Sequence, residues 1–114
     1  MTAGEAIARV DALAPNPFPD SEKLRWLQTL DGLLGAELPQ LGQAAAVYDT
    51  QSVLLVPEPH TELYLHWLQA KALYYLGEFT RYQNAAAQFN QAHLAMTAAL
   101  IRAQAPVTRA ALRY

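Results

Sequence analysis

Residues 64–100, YLHWLQAKALYYLGEFTRYQNAAAQFNQAHLAMTAAL, decide the fold of this chain. Of the first thirteen residues, ten are apolar, and a helix that is apolar nearly all round belongs at the centre of a protein. We expect this helix to begin near Pro59 and to end at Gly77, because glycine readily takes the left-handed conformation of a helix C-terminus. Glu78 begins the next helix after so short a link that the two helices should form an antiparallel hairpin.

The second helix of the hairpin carries a seam of residues spaced alternately three and four apart, which predicts packing along the first helix. The seam residues are Phe79, Tyr82, Ala86, Phe89, His93, Met96 and Leu100. The rest of this helix is unusual, because residues 82–101 include no charged side chain. Interface centres are depleted in charge, since desolvating an ion is costly, and we therefore expect the outer face to contact another protein. Its candidate contact residues are Gln83, Asn84, Gln88 and Gln91.

Two further helices precede the hairpin. Thr2 and Glu5 fit a capping box, which predicts a first helix that begins there. Three prolines in residues 15–19 keep the following link extended. Asp20 or Ser21 can cap the second helix, which carries an apolar stripe. The stripe consists of Leu24, Leu27, Leu30, Leu34 and Leu38.

Residues 39–58 lack a helical stripe and predict a long connection between helices two and three. Residues 53–56, VLLV, are the only strand-like run in it, and we expect this run to pack over the helices. Long loops in small domains are often functional. The side chains expected to anchor the core are Trp26, Leu30, Tyr64, Trp67, Leu68 and Phe89.

The composition supports the same fold class. The chain has 114 residues, of which 22 are alanine and 18 leucine, and only five are glycine, so we expect one all-α domain. The prediction is a small four-helix bundle with a long loop between helices two and three and an extended C-terminal tail. Residues 1–104 would form the helical domain and residues 105–114 the tail.

The charge of the chain is unevenly distributed. The net charge of -2 argues against general nucleic-acid binding, which needs a basic face. Residues 79–114 nevertheless contain four arginines and no acid. This pattern is either chance in a short segment or a sign that the C-terminal end meets an acidic partner. The start of the chain lacks the basic and apolar regions of a signal peptide, and no stretch is apolar enough to span a membrane, so we expect an intracellular protein.

Residues that carry chemistry are scarce. The chain has no cysteine, no glycine-rich phosphate loop, and only two serines, Ser21 and Ser52, neither in a nucleophile motif. His60, Glu62 and His66 are the only candidate metal ligands, but His60 and His66 would point about 120° apart on a helix. We expect no enzyme, no metal and no cofactor. An enzyme or metal protein that uses His60 and Glu62 is the least favoured alternative.

Nine segments of the chain resemble, in order and spacing, the head-completion proteins of long-tailed phages and prophages. In the first half the segments are RVDALAPNPF (9–18), KLRWL (23–27) and LDG (30–32). In the second half they are YD (48–49), LLVPEP (54–59), ELY (62–64), GE (77–78), RYQN (81–84) and AQFN (87–90). The resemblance covers about residues 7–92.

The resemblance implies a head–tail connector, or adaptor, which is a structural protein and not an enzyme. Such proteins assemble as a homo-oligomeric ring beneath the portal protein, with a symmetry that we expect to match the portal's twelve-fold symmetry. The ring extends the DNA channel and is the platform for the next neck protein, a head-closure (stopper) or tail-terminator protein. Double-stranded DNA passes through without specific binding, and no membrane or cofactor is involved. The implied location is the virion neck, and the host cytoplasm before assembly.

The resemblance also implies roles for particular residues. The tail would contact the portal through Val107, Arg109, Leu112, Arg113 and Tyr114. The inter-subunit face of the ring would include Gln83, Asn84, Gln88 and Gln91. The loop acids expected to face the lumen are Asp49 and Glu58. The alternative is a bacterial helical scaffolding or regulatory module that binds a peptide or protein between helices three and four.

Overall fold

A computed structural model describes the backbone of residues 1–111 and the side chains of residues 1–103. It contains four helices, and the prediction of an all-α four-helix bundle is confirmed. The helices are α1 (Ala3–Leu13), α2 (Asp20–Glu37), α3 (Glu62–Tyr75) and α4 (Phe79–Ala111), with a short 3-10 turn at Pro39–Leu41. The described residues form no β-strand beyond one isolated antiparallel bridge, which joins Thr2 and Val53.

The helix ends agree with the sequence at α1 and differ at α2 and α3. The Thr2–Glu5 capping box is present, with both reciprocal hydrogen bonds. The N-cap of α2 is Pro19 and not Asp20 or Ser21, because the extended conformation of Pro19 already positions Asp20 as the first helical residue. Helix α3 begins at Glu62, three residues later than expected, because residues 57–60 form a turn in which the His60 N–H donates to the Pro57 carbonyl.

Gly77 terminates α3 in the left-handed conformation that the sequence predicts, although the last helical residue is Tyr75 and α4 begins at Phe79, one residue later than expected. The Gly77 φ of 78° is in the left-handed region, which glycine adopts without a Cβ clash. The Gly77 N–H donates to the Tyr74 carbonyl, and the Glu78 N–H donates to the Leu73 carbonyl at 3.0 Å. These bonds satisfy carbonyls that the last turn of α3 would otherwise leave unpaired, and α4 therefore starts directly after Glu78.

Helix α3 is at the centre of the bundle, as predicted, and packs against α1, α2 and α4. Four of the six expected core anchors are buried: Trp26, Leu30, Tyr64 and Leu68. Trp67 and Phe89 are only half-buried, because each lies where α3 and α4 meet a surface groove. The seam of α4 is buried most completely at Met96 and is exposed at Phe79, beyond the reach of the other helices.

A buried carboxyl group on α2 holds the long loop in place. Asp31 has no exposed surface, and its oxygens accept hydrogen bonds from the Tyr48 hydroxyl at 2.6 Å and the Tyr64 hydroxyl at 2.5 Å. The backbone N–H of Leu55 also donates to Asp31, and that of Val56 donates to the Tyr64 oxygen. The strand-like run thus packs over the helices, as expected. It is held there both by these hydrogen bonds and by the burial of its apolar side chains.

A second polar cluster joins α1, the proline-rich link and α2. The Lys23 ammonium is 2.6 Å from an Asp11 oxygen, and its side chain is 3% exposed. The Asn16 amide donates to the same Asp11 oxygen, and the Asn16 oxygen accepts from the Phe18 N–H. Because a buried charge is tolerated only when it is paired, Lys23 fixes the position of α2 against α1.

The two tyrosines of the Asp31 network predict a loss of stability in alkaline solution. Burial raises the pKa of the Tyr48 and Tyr64 hydroxyls well above 10, and the Asp31 carboxylate raises it further. Both therefore remain neutral in the folded protein, and the stability they contribute is full below the unfolded tyrosine pKa of about 10 and is lost as the pH rises above it. We expect the urea midpoint to fall above about pH 10. If the urea midpoint of the double variant Tyr48→Phe/Tyr64→Phe fell equally steeply above about pH 10, the two tyrosines would not be the cause of the loss.

The C-terminal segment differs from the extended tail that the sequence predicts. Helix α4 continues to Ala111, so the backbone of residues 105–111 is helical, and no helix ends at the predicted boundary between residues 104 and 105. Three of the seven residues in this segment are alanine, the strongest helix former, and the helix continues despite Pro106. The side chains of Val107 and Arg109, and the whole of Leu112, Arg113 and Tyr114, lie outside the described residues.

Candidate interaction surfaces

A groove lined by aromatic side chains lies between α3 and α4. Over the residues described, no Cα of α2 lies within 8 Å of a Cα of α4. The main cavity has a volume of about 520 Å³. Its principal lining residues, here called the aromatic groove, are Trp67, Lys71, Tyr74, Tyr75, Tyr82, Phe89 and Asn90.

Ring-to-ring packing fixes the walls of the aromatic groove. Trp26 stacks on Tyr75 with centroids 5.7 Å apart, and Trp67 packs on Phe89 at 5.2 Å. The Trp67 indole N–H donates to the Trp26 carbonyl at 2.9 Å, which ties α3 to α2. Since aromatic side chains in fixed positions provide most of the energy at many interfaces, the groove has the composition of a binding surface.

The exposed aromatic surface continues at the end of the bundle where α3 turns into α4. Tyr74, Tyr75 and Phe79 are each at least half exposed. A second cavity, of about 460 Å³, is lined by Phe18, Pro19, Glu22, Trp26 and Tyr75, and shares Tyr75 with the aromatic groove. The two cavities thus adjoin at Tyr75.

Beyond the Phe89 end of the groove, Glu37 of α2 contacts His93 of α4. The Glu37 carboxylate is 2.7 Å from Nε2 of His93, and the His93 ring stacks on Phe89. His93, which the sequence places in the seam of α4, is therefore partly buried and has a polar partner. This contact holds α2 and α4 at a fixed separation where the groove ends.

The uncharged outer face of α4 is exposed at all four predicted positions. Asn84, Gln88 and Gln91 lie within about 60° of one another around the helix, whereas Gln83 is about 100° from Asn84. The four residues are therefore not one face: Gln83 lies on the same side as Asn90, next to the aromatic groove. Asn84 and Gln88 instead line a small cavity of about 180 Å³ with Gln69 and Leu73 of α3.

The predicted loop acids are exposed but are not equivalent. An Asp49 oxygen accepts from the Gln51 N–H at 2.8 Å and from the Ser52 hydroxyl, so Asp49 holds a local turn. The carbonyls of this turn accept from the first amides of α1. Glu58 lies at the other end of the loop, and no hydrogen bond or ion pair to it occurs among the described residues. The two acids are therefore separated, and only Glu58 is without a structural partner.

The candidate metal ligands do not converge. Glu62 pairs with Arg9 at 3.7 Å, and within the described residues no group of three histidine, aspartate or glutamate side chains could hold a metal ion. Nδ1 of His66 is buried without a hydrogen-bond partner, as is the Thr97 hydroxyl.

Among the described residues, no helix is long and apolar enough to cross a membrane.

Comparison with known proteins leaves the family of this chain open. No protein-family model matches it, and neither the curated proteins nor the solved structures contain a match. The segments of the phage-connector resemblance can still be located in the fold. Asp11, Asn16, Lys23, Asp31 and Tyr64 belong to these segments, and all five take part in the two polar clusters, of which that of Asp31 is buried and that of Asp11 is partly buried.

Sequence reasoning missed the aromatic groove and both polar clusters. The aromatic residues of α3 were expected to be core, because a helix that is apolar all round is usually enclosed on every side. The only sign of the role of Asp31 in the sequence is its position. It follows Leu27 by four residues and precedes Leu34 by three, so it lies on the apolar face of α2. That position could have indicated a buried carboxyl group in need of donors.

Proposed function

We propose that this protein is a structural head–tail connector that forms a ring on a phage portal protein. The observation that carries the proposal is that residues from the segments of the resemblance are bonded to one another inside this fold. Asp11 and Lys23 join α1 to α2, and Asp31 joins α2 to Tyr64 on α3 and to Tyr48 in the loop. The segments of the resemblance therefore meet in this fold at contacts that join its helices and its long loop.

The surfaces of the protein support a role in assembly. From residue 82 to residue 101 the exposed side of α4 has amides, alanines and two larger apolar side chains, Leu94 and Ile101, in place of charges. An amide can be desolvated against a partner at much lower cost than an ion, so this side is suited to a repeated subunit contact. Heterologous contacts of this kind close into a ring when the rotation per subunit allows it.

The charge distribution supports passage of DNA through such a ring. An acidic protein does not bind the phosphate backbone strongly, because it lacks the cations that release counterions. Glu58 is the better candidate for a lumen-facing charge, since it is exposed and has no partner among the described residues. Asp49 is a weaker candidate, because its carboxyl group already holds the turn that contacts α1.

The subunit contact can be tested by placing charge on the outer face of α4. We expect the double variant Asn84→Lys/Gln88→Lys to fold, because lysine is a good helix former, but not to assemble on the portal protein of the same genome. The double variant Gln40→Lys/Gln43→Lys, which adds the same two charges at exposed positions outside α4, is the control and should assemble. Rings of normal size with both α4 substitutions, seen by negative-stain microscopy, would contradict the proposed contact.

The second candidate function is a helical module that binds a peptide or protein in a bacterial host. The aromatic groove favours this alternative, because a groove between α3 and α4 that is lined by tryptophan, tyrosine and phenylalanine is where such a partner would bind. A concentration-independent monomer that binds no portal protein but does bind through the groove would favour the module over the connector.

A further inference from the structure

Of the residues whose side chains the structure describes, Lys71 is the only charged one that lines the aromatic groove. Its ammonium group lies 5.1 Å from the centre of the Trp67 ring and 5.8 Å from that of Tyr75. The two rings hold the cation in the floor of the groove and shield it partly from water. A charge in this environment attracts an opposite charge more strongly than one on the open surface.

Most of the other cations that the structure describes already have acidic partners. Lys23 pairs with Asp11, and Arg9, Arg25 and Arg81 each lie within 4.0 Å of a glutamate. Lys71 and Arg102 have no ion-pair partner among the described residues, and of these two only Lys71 lines the groove. Helix α3 carries no acid after Glu62 that could pair with Lys71. The groove thus combines apolar walls with one cation whose acidic partner is not supplied by the protein itself.

The shape of the surface indicates what kind of molecule would bring that acid. The aromatic groove and the cavity beside Phe18 adjoin at Tyr75, so a surface with apolar lining extends from Phe89 on α4 to Phe18 before α2. A compact metabolite would fill only part of it, whereas a polypeptide segment can follow its length. The exposed Asn90 amide at the rim can donate to and accept from a peptide backbone.

We propose that the aromatic groove binds a segment of another protein in which a carboxylate lies between apolar side chains, with the carboxylate paired to Lys71. The apolar side chains contact Trp67, Tyr75 and Phe89, and the ion pair fixes the register of the segment. This inference does not depend on the connector proposal, because the groove lies on the opposite side of α4 from Asn84 and Gln88. It also applies if the protein is a host module.

Selection from a library of random peptides displayed on yeast tests the proposal with the intact protein. Enriched peptides are synthesised without tryptophan, each with its acidic residues and with those residues replaced by the corresponding amides. Binding is followed by protein fluorescence, since both tryptophans, Trp26 and Trp67, line this surface. The variants are Lys71→Gln and, as a matched loss of one surface cation outside the groove, Arg9→Gln.

We expect the enriched peptides to contain an acid between apolar residues, and Lys71→Gln to weaken their binding about tenfold. Replacing the peptide's acid by its amide should weaken binding to the same degree, and the two changes together should cost little more than either alone. Arg9→Gln should bind like the parent protein.

Three results would overturn the proposal. The first is a selection that enriches no peptide, and the second is enriched peptides without acids or with unchanged affinity for Lys71→Gln. The third is self-association of the peptide-free protein that Lys71→Gln abolishes in sedimentation experiments, because the groove would then bind a second copy of this chain. None of these results bears on whether Asn84 and Gln88 form the subunit contact on a portal.

Discussion

Replacing Asp31 with alanine is expected to lower the free energy of unfolding by about 3–5 kcal/mol. The substitution leaves the hydroxyls of Tyr48 and Tyr64 and the N–H of Leu55 without their acceptor in the interior. Each buried donor without a partner costs about 1–3 kcal/mol, and water cannot easily replace a carboxyl group that has no exposed surface. Urea unfolding of the parent and the variant measures the difference directly.

Two variants separate the role of the network from a general effect of losing an acid. Asp31→Asn keeps one oxygen acceptor and should cost less than Asp31→Ala. Asp20→Ala removes an exposed acid from the first turn of α2 and should cost less than about 1 kcal/mol, the usual size of a helix-dipole effect. An Asp31→Ala variant as stable as Asp20→Ala would mean that the loop is held by apolar contacts alone.

Replacing Trp67 with alanine is expected to lower the free energy of unfolding by about 2–4 kcal/mol. The side chain is half-buried, so the loss should be smaller than for a fully enclosed tryptophan. Three interactions disappear together: the hydrogen bond to the Trp26 carbonyl, the packing on Phe89, and the contact with the Lys71 ammonium. Denaturant unfolding followed by circular dichroism provides the measurement.

Tyr74, a more exposed aromatic residue of the same surface, provides the control for Trp67. Tyr74 is half exposed, and Tyr74→Ala should cost less than about 1 kcal/mol. Trp67→Phe keeps an aromatic ring but removes the indole N–H, so it isolates the hydrogen bond at about 1 kcal/mol. A loss below about 1 kcal/mol for Trp67→Ala would show that Trp67 does not link α2, α3 and α4.

The local features of the fold could be predicted from the sequence. The α3–α4 hairpin follows from the apolar composition of residues 64–76 and from Gly77, and the start of α1 follows from Thr2 and Glu5. All of these signals act between residues a few positions apart. The start of α3 could not be predicted in the same way, because Pro59 suits a first helical turn as well as it suits the turn at residues 57–60.

The long-range features could not be predicted. Tyr48 follows Asp31 by 17 residues, and Tyr64 follows it by 33. No spacing rule relates positions in a helix, a loop and a second helix. The aromatic groove depends on how α3 and α4 pack against each other, which is a property of the pair rather than of either helix. By contrast, the uncharged side of α4 follows from composition alone, although helix geometry divides its four candidate residues between two sides.

The central claim, that this protein forms a ring on a portal, is tested most directly by negative-stain microscopy of the purified chain mixed with the portal protein of the same genome. The account predicts an added ring of density on the portal for the full chain. It predicts loss of that ring for residues 1–104, if the C-terminal residues Val107, Arg109, Leu112, Arg113 and Tyr114 contact the portal. A portal that shows no added density with the full chain at any concentration would contradict the connector function and favour the host module.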